Sequence, residues 1–105
     1  MKEQDELLLR KSLALAVPLW IEELQRKRLS YLMKRKEECA KIIAEKGDVI
    51  LYKSKTRGRS GEAFNALAEG VAILALIAKG GVQMFGLHFD AQHPEIENGD
   101  KGVKP

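Results

Sequence analysis

Apolar residues recur at helical spacing early in the chain, at Leu9, Leu13, Ala16 and Trp20. The spacing predicts a helix over Asp5–Val17. Pro18 then breaks the pattern. Proline lacks an amide hydrogen and disfavours helix at the residue before it, so the sequence predicts either a kink there or a second helix with Pro18 in its first turn. Glu22 and Glu23 suit the positive end of such a helix. Leu19–Lys46 is the longest helical candidate, ended by Gly47, with opposite charges four apart at Glu22/Arg26, Glu23/Lys27, Lys34/Glu38, Glu37/Lys41 and Lys41/Glu45. Each such pair adds only about 0.2–0.5 kcal/mol. The apolar stripe is thin (Leu29, Leu32, Met33, Cys39, Ala40, Ile43), which predicts an arm packed on one neighbour.

The second half changes character. Asp48–Lys53 is a short apolar run, as in a strand covered on both faces. After a basic loop, the segment from Gly61 or Glu62 to Lys79 is apolar almost all round, with only Glu62, Asn65 and Glu69 polar before Lys79. Such a helix belongs at the centre of a molecule. Gly70 inside it implies a close backbone approach, since glycine costs about 1 kcal/mol there relative to alanine. Gly80-Gly81 supplies a left-handed stop. Val82–Phe89 then alternates, with Gln83, Phe85, Leu87 and Phe89 on one side. Read as one strand, it makes Asp48–Asp90 a βαβ unit with parallel strands and a right-handed crossover. Two strands make a weak sheet, so a homo-oligomer that completes it through the sheet edge or the long helix is expected. The fold class is α+β: two N-terminal helices, the second long, then the βαβ unit. One domain spans 1–93, with a helical arm over 1–46, and 94–105 is a loose tail.

Charge adds the candidate chemistry. The 105 residues carry a net charge of +3, mild in total but unevenly placed. Arg26, Lys27, Arg28, Lys34, Arg35 and Lys36 form one basic stretch without an acid, and Lys53, Lys55, Arg57 and Arg59 form another. In the loop Lys53–Gly61, Ser60 can cap the following helix, and the lysines and arginines can meet phosphates at a strand-to-helix handover. It is no Walker motif, because Glu62 stands where lysine is required. The GxxG at Gly58–Gly61 follows a strand rather than joining two helices, unlike the KH clamp. On the long helix, Arg26, Arg28, Lys34 and Arg35 can track a phosphate backbone, and Tyr31 can stack on a base. The competing reading is a solvated face neutralised by its own carboxylates.

His88, Asp90 and His93 are the one metal-like cluster, with two residues on the same side of an extended segment. A strand-end histidine and a solvent-facing one explain them as well. Cys39, among Ala40, Ile42 and Ile43, reads as a buried hydrophobe rather than a nucleophile. One cysteine excludes an internal disulfide and fits a reducing cytoplasm. The sequence predicts no membrane span, no signal peptide and no cofactor.

The segments Gly47-Asp-Val-Ile-Leu-Tyr52, Ala63-Phe-Asn-Ala-Leu-Ala-Glu-Gly-Val-Ala-Ile-Leu74 and Gly80-Gly-Val-Gln-Met-Phe-Gly-Leu-His88 resemble short proteins of phages and integrated mobile elements. The resemblance rests on small and apolar residues rather than a catalytic motif. It implies an accessory protein that binds a host component. Three expectations follow: a non-catalytic nucleic-acid binder, a protein-binding accessory factor or inhibitor, and a small metal-dependent enzyme using His88, Asp90 and His93.

Overall fold

A computed structural model describes residues 3–46 and 61–91. They form helix α1 (Glu3–Leu24), helix α2 (Leu29–Lys46), helix α3 (Gly61–Ile77) and strands β1 (Val82–Met84) and β2 (Leu87–Phe89). The class is α+β, mostly helical with a small antiparallel sheet. The run Asp48–Lys53, the loop Lys53–Ser60 and the tail lie outside the described residues.

α3 sits between the other two helices and packs against both, while α1 and α2 make little contact with each other. Its composition requires this position. Phe64, Ala68, Val71 and Ala75 are buried on one side, Ala66 and Ile73 on another, so no single neighbour can cover it. On the α1 side it meets Leu9, Leu13, Val17, Ile21 and Leu24, which recur every three or four residues and are all buried. On the α2 side a Cβ added to Gly70 would lie 3.6 Å from the Cβ of Cys39. The close approach read from Gly70 is therefore present, and it leaves room for a methyl group.

Two features differ from the sequence reading. α1 continues through Pro18, so no second helix starts there, and the break falls at Gln25–Arg28 instead. A proline inside a helix costs about 3 kcal/mol, yet Val17 and Ile21 on either side of it are fully buried. Burying each is worth about 1.5–3 kcal/mol, enough to carry the helix past its local defect. The helix stops where the stripe stops, because the positions after Leu24 are Gln25, Arg26, Lys27 and Arg28. The second helix is thus the shorter of the two.

The other difference is Val82–Phe89, which is not one strand. It folds into a hairpin with Val82 opposite Phe89, Gln83 opposite His88 and Met84 opposite Leu87. The two turn residues both have positive φ, 51° at Phe85 and 79° at Gly86, the geometry of the tight turn that matches strand twist. Leu87 and Phe89 are buried against the helices. Gly80 (φ 84°) and Gly81 (φ 85°) turn the chain from α3 into β1, with the Gly81 amide donating to the Ala78 carbonyl at 3.2 Å.

The glycines give opposite expectations. Gly70→Ala should raise stability by about 0.5–1 kcal/mol in urea unfolding, since the methyl fits and the unfolded chain loses freedom. Gly81→Ala should cost about 2 kcal/mol or more, because its Cβ would stand 2.3 Å from the Phe89 carbonyl oxygen.

Candidate nucleic-acid interface

The end of α1 and the start of α2 place three cations side by side. The Lys27 amide donates to the Leu24 carbonyl and the Leu32 amide to the Arg28 carbonyl, both at 3.0 Å, so Arg28 stands at the mouth of α2. Gln25 Nε2 donates to the Ala91 carbonyl at 3.0 Å, which ties the turn to the segment leaving the hairpin. Arg26, Lys27 and Arg28 are all exposed. Behind them, the first amides of α2 carry partial positive charge, and its first turn holds no acidic residue. Lys27 Nζ lies 5.3 Å from the centroid of the exposed Tyr31 ring, a cation–π contact.

The expected charge ladder does not form. Among the described residues, the ion pairs are Arg35 with Glu38, Arg35 with Glu69, Lys46 with Glu62, and His88 with Asp90. Because the helix breaks after Leu24, Arg26 and Lys27 lose their four-residue register with Glu22 and Glu23. Glu38, expected to meet Lys34, is taken by Arg35. Arg26, Lys27, Arg28, Lys34 and Lys41 thus stay exposed without a carboxylate among the described residues.

Arg35 has another role. Its Nε donates to Glu69 Oε2 at 2.9 Å and its Nη2 to Glu69 Oε1 at 2.7 Å. Nη1 donates to Glu38 Oε1 at 2.6 Å. The Glu69 carboxylate, aided by Glu38 and opposed by burial, holds the guanidinium above its ordinary range. The Glu69 side chain is only 6% exposed and that of Arg35 29%, so this fork clamps α2 to α3 and is committed inward. The sequence signal was Glu69 itself. It is the one buried charged residue among those described, and a buried carboxylate needs a cation. Beside the clamp, Cys39 is buried, and burial pushes its thiol up. At the far end of α2, Glu62 raises Lys46, joining the last turn of α2 to the first of α3.

His88 Nε2 lies 3.7 Å from Asp90 Oδ2, beside Gly81. His93 lies outside the described residues, and among those described no group of three or more His, Cys, Asp or Glu is arranged to hold a metal ion. The loop candidates Lys53, Lys55, Arg57, Arg59 and Ser60 also lie outside the described residues. No helix is long and apolar enough to cross a membrane among the described residues. Comparison with protein-family models, curated proteins and solved structures finds no match to this chain.

The clamp predicts an asymmetry. Arg35→Met leaves the Glu69 carboxylate buried without its partner and should cost about 2–4 kcal/mol, whereas Arg35→Met with Glu69→Leu should fall within about 1 kcal/mol of the parent. Urea unfolding of both variants measures the difference.

Proposed function

We propose that this chain is a small, non-catalytic, oligomeric binding protein that contacts nucleic-acid phosphates through the cationic turn between α1 and α2. The observation that carries the reading is the exposed trio Arg26, Lys27 and Arg28, set before the amide end of α2 with no carboxylate among the described residues to neutralise it. Like charges at the positive end of a helix are mutually unfavourable, and a bound anion relieves them. Lys34, exposed on α2, extends the track by about 9 Å beyond Arg28 at the helical rise. Lys53, Lys55, Arg57, Arg59 and Ser60 join the same reading on sequence grounds. Arg35 does not, since its donors are spent on Glu69 and Glu38. Recognition of this kind reads the backbone rather than the bases. The buried single thiol suits a reducing compartment such as the cytoplasm.

Oligomerisation belongs to the reading on two grounds: a two-stranded sheet is small, and large apolar side chains stand exposed on α1 and α2. Those side chains also favour the second reading, an accessory factor that docks on another protein, in keeping with the resemblance to mobile-element proteins.

Fluorescence anisotropy with labelled single- and double-stranded oligonucleotides separates the two. Binding at low salt is expected, with log K falling linearly in log salt. Replacing Arg26, Lys27 and Arg28 by glutamine should weaken binding whatever the base sequence. It should also flatten the duplex salt slope by about 2–3, or about 0.9 for each phosphate no longer neutralised. Lys46→Gln, remote from the turn, should change neither. Absence of binding at low salt would overturn the nucleic-acid reading in favour of a protein partner.

A further inference from the structure

α1 is apolar on two opposite sides, and only one of them faces the core. The buried stripe Leu9, Leu13, Val17, Ile21 and Leu24 meets α3 and β2. About half a turn round the helix, at 3.6 residues per turn, Leu8, Leu15 and Leu19 face outward. Leu15 is 75% exposed and Leu19 67%, the two highest values among the large apolar side chains of the described residues. With Ser12, these positions step by four, three and four residues, which is the a/d spacing of a coiled-coil seam. A helix needing only one partner would have polar residues there. An open recess of about 290 Å³, lined by Ala16, Leu19, Trp20 and Glu23, adjoins the stripe and offers room for projecting side chains of a facing helix.

We infer that the Leu15–Leu19 part of this outer face of α1 is the surface on which a second copy of the chain pairs, antiparallel and about a two-fold axis near residue 17, which sets Leu15 of each copy level with Leu19 of its mate. The charges beside the seam select the orientation. Lys11 lies four residues before Leu15 and Glu22 three after Leu19, on the same flank of the helix, and both are exposed. An antiparallel pair sets Lys11 of each copy against Glu22 of its mate, twice by symmetry. A parallel pair would set lysine on lysine and glutamate on glutamate. The face is self-complementary, as an isologous contact requires. The exposed apolar side chains of α2 form a poorer seam: Leu29 and Met33 are followed by the half-buried Lys36, then Ala40 and the half-buried Ile43. The pairing deepens the oligomeric part of the proposed function and is independent of the nucleic-acid part. It sets one cationic turn at each end of the α1 pair, about 27 Å apart along the helix axis from Arg26 to Arg26 at 1.5 Å per residue.

Light scattering on a sizing column, without nucleic acid, tests this directly. The parent should show twice the 11.7 kDa chain mass. Leu15→Glu should show the single-chain mass with unchanged far-ultraviolet circular dichroism, since Leu15 contributes nothing to the core. Lys11→Glu or Glu22→Lys alone should weaken the dimer roughly ten-fold by replacing two attractions with two repulsions, and the two together should restore it. A parent that is monomeric up to its solubility limit would overturn both the pairing and the oligomeric part of the function. An oligomer that Leu15→Glu leaves intact, or a double charge reversal that fails to restore it, would overturn this surface alone.

Discussion

The covering of α3 is the constraint on which the rest of the structure depends. A helix with buried residues on nearly every side cannot be satisfied by one neighbour, so the chain supplies two: α1 on one flank and α2 on the other, with the hairpin closing the end. Each outer helix is organised by the stripe it offers. α1 gives a continuous one and is tolerant of Pro18. α2 gives little beyond Leu32 and Cys39 as fully buried positions and is held as well by two ion pairs, the Arg35–Glu69 fork and the Lys46–Glu62 contact. That division explains why the one buried carboxylate among the described residues lies on the α2 side of α3. Where apolar contact is thin, a paired and hydrogen-bonded charge fixes how the helices meet.

The same constraint leaves the cations where they are. Once Leu24 is buried, nothing apolar follows to keep the chain on α3. The helix ends, and a tight turn carries Arg26, Lys27 and Arg28 into solvent. Ending the helix there also removes the carboxylates that a continuous helix would have brought beside them. That these cations meet no carboxylate among the described residues is therefore a consequence of core geometry, and the proposed interface is built from what the core could not use.

Much of this is legible in the residues. The all-round apolar character of α3, the stop at Gly80-Gly81, the approach at Gly70 and the burial of Cys39 each follow from local composition. Pro18 leaves two readings open because local backbone preference is worth only a few kcal/mol, and the buried leucines and valine of α1, separated along the sequence from their partners on α3, decide for one continuous helix. The hairpin is hidden because Phe85-Gly86 lacks the usual Asn-Gly or Asp-Gly signature. Strict alternation through Phe85 looks the same in one strand or two. Arg35 falls in with its basic neighbours because sequence spacing alone does not reveal that one of six cations points inward to Glu69. The basic loop from Lys53 to Ser60 rests on the sequence alone.

Native-state hydrogen exchange resolved by residue tests the central claim most directly. If α3 is the interior rod, its amides from Ala66 to Ala75 exchange only through global unfolding and share the largest protection in the chain, while those of Gln25–Arg28 exchange through local opening. Amides of α3 that exchange as fast as those on the outer helices would contradict the claim and remove the geometric basis for an exposed cationic turn.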